Sequence, residues 1–415
     1  MPLRILLPAI GSSGDVHPVI GLGLALKARG HAVAVATNEL YSEPVRDSGL
    51  EFVPMGTMAE AERLMNDPRL WNLRKGFGLI VEGAILPNIP RLYEIISERR
   101  GPSTVVAATT LCLGARVAQE RLGVPTASLH LQPGVLRSMV DSGRLGYFDF
   151  GPGMPRLMKR ALLWCIDAVY VERRIGPGLN AFRSALGLPP VRGIFSSYIH
   201  SPRLVLGLFP DWFAAPQPDW PRNTQLTGFI LHDAGGRAED RAEADDFLGA
   251  GPPPVLVTAG SAAKDRSRFF LHTVQACNRA GVRAMLVTNY PGQLPDSLPP
   301  GVRAFPYVPF SRILPRCAAV VHHGGIGTLA QAVKAGVPQL IVPNAHDQPD
   351  NGQRIGRLGL GLTINQGRYR PGRAARALGK LLRSTQIRER CREYAARIDS
   401  RASLDCACSL IERLT

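Results

Sequence analysis

Two doubly wound, Rossmann-like α/β domains facing a cleft are the fold class this sequence predicts, and three observations lead to it. The chain has 415 residues, about twice the usual domain length. Short apolar runs alternate with helical stretches, which implies mostly parallel sheets with helices on both faces. That alternation occurs twice, with a proline- and aromatic-rich stretch between the two series.

In the first series, residues 3–8, 32–36, 51–54, 104–108, 125–129 and 204–208 read as strands. Between residues 131 and 201 the pattern is broken by Gly-Pro pairs, and an amphipathic helix is predicted over 156–173. An inserted, function-specific element is expected there. Residues 209–221 are too rich in proline for a helix or a central strand and read as the connection between domains. The second series places strands at 254–258, 283–288, 302–305, 319–322, 339–342 and 361–364, and the tail from 388 to 414 is helical by periodicity. The expected division is a first domain over 1–208, a linker over 209–232, a second domain over 233–390, and a C-terminal helix over 391–415 packing back on the first domain.

Composition narrows the function classes. The net charge is +16, yet the basic residues are scattered and no nucleic-acid module has its signature, so no nucleic-acid partner is expected. The charge fits a solvated surface, or attraction to anionic substrates or an acidic membrane face. The seven cysteines (112, 165, 277, 317, 391, 406 and 408) have no paired CxxC spacing, which argues against a disulfide framework and a zinc site. A reducing cytoplasm fits them. The start Met1-Pro2-Leu3-Arg4 leads straight into a strand without signal-peptide features, and no run reaches the ~18 apolar residues of a membrane span. The expected location is cytoplasmic, extended to peripheral contact with the inner membrane or with an acceptor-supplying enzyme.

The most specific motif is Val320-Val321-His322-His323-Gly324-Gly325-Ile326-Gly327-Thr328. An apolar strand enters a glycine turn and then a helix. Phosphate oxygens can approach the unpaired N–H groups at such a helix start, where the dipole also favours negative charge. His323 and the Thr328 hydroxyl can add donors. Asp347, Gln348 and Asn351, just past the next strand, suit sugar hydroxyls. Gly260 and Ser261 close the first strand of the second series and offer another turn for a diphosphate. Tyr307 and Val308 can flank a nucleobase, ring on base and backbone to base edge, or simply pack.

The first strand ends in Gly11-Ser12-Ser13-Gly14-Asp15-Val16-His17-Pro18. Ligands of open α/β sheets bind at such strand ends. Asp15 can act as a general base or as a carboxylate capping the helix that follows. His17, next to Pro18, reads as a packing or capping residue. The tandem His322-His323 could be metal ligands, but adjacent side chains diverge on a strand and no third ligand is spaced with them, so no metal is expected. Trp71, Phe77, Tyr147, Phe148 and Trp164 enrich the first half in large apolar groups, either core or the lining of a site for an apolar acceptor.

Taken together, these residues resemble the GT-B glycosyltransferases of the large inverting class that includes glucosyl- and glucuronosyltransferases, sterol glucosyltransferases and antibiotic glycosyltransferases. The resemblance spans the whole chain. Within the class, the segments Gly11 to Val16, Asp67-Pro68-Arg69-Leu70-Trp71, Asp219-Trp220-Pro221 and Ala345 to Asn351 are most similar to the rhamnosyltransferases of rhamnolipid synthesis. The resemblance implies a GT-B fold with the acceptor on the first domain and the nucleotide sugar on the second. It implies Asp15 as the base, as in the sterol and antibiotic branches, with Ser13, His17, Trp71 and Phe77 on the acceptor side. His323, Gly325, Gly327 and Thr328, with Gly260 and Ser261, would hold the diphosphate. Asp347, Gln348 and Asn351 would meet the sugar, and Tyr307 and Val308 the base.

Two positions depart from the plant-type pattern: Phe310 stands in place of a glutamine, and Gln331 in place of a ribose-binding glutamate. Without that carboxylate a deoxyribose donor fits better. The expected reaction is an inverting, metal-independent displacement, the donor dTDP-L-rhamnose and the acceptor a hydroxyacyl lipid. No D-x-D pair occurs in the chain and no cofactor is expected beyond the nucleotide diphosphate sugar as co-substrate. Glucosyl or deoxysugar transfer to a polyketide, carotenoid or sterol-like alcohol is the alternative, and a nucleotide-sugar epimerase or a non-catalytic binding partner represents a different class.

Overall fold

The computed structural model describes residues 1–72, 75–145, 148–151, 153–233 and 238–414. They form two compact units, one of Met1–His232 with Ser400–Thr415 and one of Asp233–Asp399. Each is a mixed α/β structure built on a parallel sheet.

The first unit holds strands β1 (Arg4–Pro8), β2 (Ala32–Thr37), β3 (Glu51–Pro54), β4 (Thr104–Thr109) and β5 (Thr126–His130), then a two-residue-per-strand hairpin of β6 (Arg144–Leu145) and β7 (Phe148–Asp149), and finally β8 (Leu204–Gly207) and β9 (Thr224–Leu226). The main sheet has order β3-β2-β1-β4-β5-β8-β9, with every neighbouring pair parallel. Its central strands are buried on both faces, as Ile5, Leu6, Leu7, Val105, Val106 and Ala107 show. That double burial is why they read as unbroken apolar runs rather than alternating ones. The order reverses between β1 and β4, which opens a crevice at their carboxyl ends.

The second unit holds β10 (Val255–Thr258), β11 (Ala284–Val287), β12 (Val302–Phe305), β13 (Ala319–His322), β14 (Gln339–Ile341) and β15 (Gly361–Thr363). Their order is β12-β11-β10-β13-β14-β15, all parallel. This is a doubly wound order, and its reversal lies between β10 and β13.

Two expectations about the division of the chain are corrected, and the helix expected over 156–173 is found and runs further. Residues 209–232 belong to the first unit. Thr224–Leu226 adds the last strand to its sheet, with Thr224 opposite Val205. Phe209, Phe213, Trp220 and Phe229 are buried and meet edge-on, Phe213 and Phe229 at 5.3 Å between centroids. Proline and aromatics thus mark a packed cap rather than an exposed tether. The helix predicted over 156–173 runs through Arg156–Ile166, a π-turn at Asp167–Glu172, and on to Ala185.

The tail divides into two helices. Thr385–Ala396 stays with the second unit, where Cys391 and Tyr394 are buried. Ser400–Glu412 returns to the first. There Glu412 pairs with Arg29 at 3.3 Å and His31 at 2.8 Å. Such exposed pairs contribute little; burial of Ala407, Cys408 and Ile411 holds the helix. Ile411→Ala is expected to cost about 2–5 kcal/mol in urea unfolding of the first unit, and a loss below about 1 kcal/mol would show that the helix is not part of its core. No helix among the described residues is long and apolar enough to cross a membrane.

Candidate functional site

In the first unit the turn after β1 brings Asp15 back over its own start. Asp15 is the third residue of helix Ser13–Ala28. Its Oδ2 accepts the Ser12 backbone N–H at 2.8 Å and the Ser12 hydroxyl at 3.1 Å. The capping role weighed for this carboxylate is therefore real, and it engages one oxygen. The other, Oδ1, accepts no hydrogen bond from the described residues. Burial pushes the carboxyl above its ordinary range, and the two Ser12 bonds pull the other way. Gly11, at φ +149°, is required here, because a Cβ on it would lie 2.2 Å from Asp15 Oδ2.

The neighbouring strand ends complete this edge. Ile10 N–H donates to Thr109 Oγ1 at 3.3 Å, tying the β1 turn to the end of β4. Thr110, His130 and His200 form a chain, Thr110 Oγ1 to His130 Nδ1 and His130 Nε2 to His200 Nδ1, both 2.9 Å. Burial lowers the pKa of both histidines, His130 well below its usual value and His200 to about 4.

The acceptor-side candidates separate. Ser13 and His17 are half-buried on the same first turns as Asp15, and the His17 ring stands edge-on to His232 at 6.3 Å. Phe77 packs edge-on against Phe195 at 6.1 Å and onto the core of Val81, Ile85 and Ile175, so packing is its observed role. Trp71 is half-buried and ends the short turn Pro68–Trp71, which Asp67 caps by accepting from Arg69 N–H at 2.9 Å. Asp219 Oδ2 likewise accepts the Met139 N–H at 2.6 Å. Trp164 and Phe148 are exposed, and Tyr147 lies outside the described residues.

In the second unit the carboxyl ends of β10 and β13 are adjacent, with Thr258 paired to His322. Both glycine turns therefore meet at the reversal of strand order. The His323 ring packs onto them: a Cβ on Gly260 would lie 2.7 Å from it, and one on Gly325 2.4 Å from its Nε2. Larger residues at either position would displace the ring. His323 Nδ1 is buried without a hydrogen-bond partner among the described residues. Burial, then the neighbouring His322 and Arg266, push its pKa down to about 3, so it is neutral at physiological pH.

His322 behaves differently. Its Nδ1 accepts the Gly324 N–H at 3.1 Å, which leaves the proton on Nε2 to donate to Gln339 Oε1 at 2.9 Å. The tandem histidines diverge, one fixing the turn and one lining it. Helix Ile326–Lys334 begins at Gly325 with no side-chain cap, and its first internal bond is Leu329 N–H to Gly325 O. The N–H groups of Ile326, Gly327 and Thr328 precede that bond and have no acceptor within the helix.

The loop with Asp347 is held against the same turn. Asn351 Nδ2 donates to Gly324 O at 2.9 Å and to Asp347 Oδ2 at 2.6 Å. Its own Oδ1 is buried without a partner among the described residues. Gln348 Oε1 accepts from the N–H groups of Asn344 and Ala345 at 2.8 and 3.1 Å, which spends its oxygen on the loop and leaves its amide nitrogen to donate. His346 has φ +59°, the one positive value outside glycine among the described residues, a strain of about 1–2 kcal/mol in the residue preceding Asp347. Ser261 is exposed, and its carbonyl accepts the Tyr290 hydroxyl at 3.1 Å. Tyr307 is half-buried, and Val308 is packed among Phe305, Ile313 and Leu314, which leaves only its backbone for a ligand.

Comparison with known proteins follows this geometry. The N-terminal domain of glycosyltransferase family 28 matches residues 5–140, and the C-terminal domain of the erythromycin biosynthesis protein CIII-like family matches residues 284–408. Over 421 residues the chain is 30% identical to O-mycaminosyltylonolide 6-deoxyallosyltransferase of Streptomyces fradiae, covering 99% of this chain and 97% of that one. The chain belongs to the GT-B glycosyltransferases.

Solved glycosyltransferase structures share its fold. The glycotransferase of kitacinnamycin superposes with a TM-score of 0.74 at 21% identity, covering 100% of this chain and 99% of that chain. A spinosyn rhamnosyltransferase complexed with thymidine diphosphate superposes at 0.68 and 18% identity, covering 99% and 100%.

Three features of this glycosyltransferase escape a sequence reading. The His130–His200 pair consists of lone histidines far apart in sequence. Asp233 accepts from Gln331 Nε2 at 2.7 Å and Ser311 N–H at 2.6 Å, so a carboxylate from a distant segment fixes the glutamine. Arg266 is buried at the start of the helix that follows the Gly260-Ser261 turn, and in the sequence nothing distinguishes it from other arginines.

Proposed function

We propose that this glycosyltransferase moves a deoxysugar from a dTDP-activated donor to a hydroxyl of an apolar natural product, with inversion at the anomeric carbon. The observation that carries the reading is Asp15: one carboxylate oxygen is tied by Ser12, the other accepts no hydrogen bond from the described residues, and burial raises its basicity. In a single displacement the acceptor oxygen bonds to the anomeric carbon and its proton passes to Asp15 Oδ1. The bond to the diphosphate breaks, and its electron pair leaves on the phosphate oxygen. The N–H groups at the start of helix Ile326–Lys334 and neutral His323 stabilise that leaving charge. Asp347 and the Gln348 amide are assigned to the sugar, Tyr307 and the Val308 backbone to the base.

A dTDP donor is supported by Gln331. With its nitrogen committed to Asp233, it offers a single acceptor oxygen, which matches the one free ring hydroxyl of a deoxyribose better than the pair on a ribose. The thymidine diphosphate complex of a structure with the same fold is in line with this. A natural-product acceptor is supported by the Streptomyces fradiae relative, whose name describes deoxysugar transfer to a tylonolide. With no D-x-D pair in the sequence, turnover is proposed to survive chelation by EDTA.

A narrower reading is dTDP-L-rhamnose to a hydroxyacyl lipid. It is favoured by the likeness of Asp67 to Trp71 and Asp219 to Pro221 to rhamnolipid rhamnosyltransferases, although both carboxylates serve turns here. The test is incubation of the purified protein with dTDP- and UDP-sugars and either a macrolide aglycone or a β-hydroxyacyl lipid, reading nucleotide release, product mass and anomeric configuration. A glycosylated aglycone from dTDP donors with inverted configuration supports the reading, and a rhamnosylated lipid supports the narrower one. Donor conversion without acceptor would replace transfer by epimerisation, and donor binding without turnover would leave a binding protein.

A further inference from the structure

Arg266 stands at the start of helix Ser267–Ala280, after the Gly260-Ser261 turn. It is 4% exposed, and none of its three guanidinium nitrogens has a hydrogen-bond partner among the described residues. The other buried arginines there are all paired. Arg116 donates to Tyr198 O at 2.9 Å, Arg183 to Pro189 O at 2.8 Å and to the Glu120 carboxylate at 2.9 Å, and Arg354 to Asp350 at 2.8 Å. Asp265, its exposed chain neighbour, makes no ion pair with it. An unpaired buried cation is costly unless something compensates it; attraction by Asp265 and Tyr369 offsets only part of the burial, and no hydrogen bond from the described residues adds to it.

Its surroundings keep it fixed and dry. The Cζ lies 5.4 Å from the centroid of the Phe269 ring, and that ring stacks on Tyr369 at 5.9 Å. Tyr369 is anchored through its hydroxyl to Thr273 at 2.8 Å. The preceding loop is pinned by Gln293 Nε2 donating to Ala263 O at 2.7 Å. Burial lowers the guanidinium pKa only to about 10, which leaves it charged at neutral pH. The charge is felt by His323, whose Nδ1 is also buried and without a partner. Arg266 begins the helix that follows β10, and His323 follows the end of β13, the strand paired with β10; what the unpaired guanidinium lacks is an anion.

We infer that Arg266 is the charged element of the donor site, a guanidinium kept unpaired by the fold so that the nucleotide diphosphate is its partner. The inference rests on the second unit holding the donor, as proposed above. It divides the work at that site. Neutral His323 and the helix N–H groups give direction, and Arg266 supplies full positive charge in a two-pronged geometry suited to phosphate oxygens. As the sugar bond breaks and its electron pair moves onto the diphosphate, Arg266 meets the added charge without reorganising.

The experiment compares wild type, R266K and R266M in titrations with dTDP, thymidine and inorganic diphosphate, together with thermal melting of the unliganded proteins. R266M is expected to weaken dTDP and diphosphate binding by about 10- to 100-fold and to leave thymidine unchanged. Its melting temperature should equal or exceed that of wild type, because an apolar side chain replaces an unpaired charge. R266K, which keeps the charge but not the fork, should fall between. A lower melting temperature with unchanged dTDP affinity would make Arg266 a purely structural residue and overturn the inference. Should R266M not fold, R266K decides: selective loss of dTDP affinity with thymidine affinity unchanged supports the assignment, and dTDP affinity equal to that of wild type overturns it. Failure of wild type itself to bind any nucleoside diphosphate would instead remove the donor reading, and the Arg266 assignment with it.

Discussion

Asp15→Asn is expected to lower the turnover number by about 10²–10⁴-fold while dTDP affinity stays within about twofold of wild type. The substitution preserves shape. An asparagine oxygen can still accept the Ser12 N–H that closes the helix start, so the turn and Gly11 stay in place. What is lost is a group able to take a proton as the acceptor oxygen bonds to carbon. The residues proposed to hold the donor sit on another unit of the chain, so ground-state binding of nucleotide should be untouched. Because burial raises the Asp15 pKa, the acid limb of the wild-type rate should lie above the ordinary carboxylate range and vanish in the variant. Residual turnover above a tenth of wild type would remove Asp15 as the base.

Acidification from pH 7 to 5 is expected to destabilise both units, chiefly through four of the five histidines whose pKa burial lowers; the fifth, His346, lies in the second unit. His130 and His200 lie in the first unit, His322 and His323 in the second. Folded-state pKa values are lowered to about 4 for His200 and His322 and to about 3 for His323, and well below the usual value for His130. Below pH 6.5 the unfolded chain binds protons that the folded chain refuses, so stability is intact above 6.5 and falls until pH reaches the folded values. Each fully uncoupled histidine contributes on the order of 1.4 kcal/mol per pH unit. Between pH 6.5 and 5 that is about 2 kcal/mol per histidine, or about 4 kcal/mol for the two named in each unit, set against the roughly 5–15 kcal/mol of a typical domain.

Carboxylates do not account for that window. Glu60, lowered to about 2 chiefly by its hydrogen bond with Arg91, loses its contribution only between pH 4.5 and 2. The raised carboxyl of Asp15 acts in the opposite direction. Urea unfolding midpoints at pH 7 and 5 provide the measurement, with His322→Asn expected to flatten part of the slope, since an amide oxygen can still accept the Gly324 N–H. Equal midpoints at the two pH values would mean that these histidines are protonated in the fold.

What the sequence reveals follows from how local each property is. Leu256 and Val257, or Val320 and Val321, announce strands because parallel strands buried on both faces admit no polar interruption. Thr224-Gln225-Leu226 escapes notice because a short edge strand carries one apolar residue and borrows its conformation from β8. At the site, the strand, glycine turn and helix around His323 are contiguous, so their chemistry is legible. Gln348 and Asn351 are legible as polar groups, but the structure spends much of their capacity on the Gly324 turn and on backbone N–H groups. Arg266 is invisible in a chain with 49 lysines and arginines, because burial without a partner is a tertiary property.

The return of helix Ser400–Glu412 to the first unit also sets an order of events during synthesis. Residues 233–399 are contiguous, so the second unit needs nothing that follows them in the chain. The first unit emerges earlier yet finishes later. Until Ala407, Cys408 and Ile411 arrive, the surface of Ser13–Ala28 that they cover is bare. The nascent chain therefore carries a sticky, unfinished first unit through most of translation, and a released chain cut short after residue 399 should have a complete second unit and a first one prone to chaperone capture.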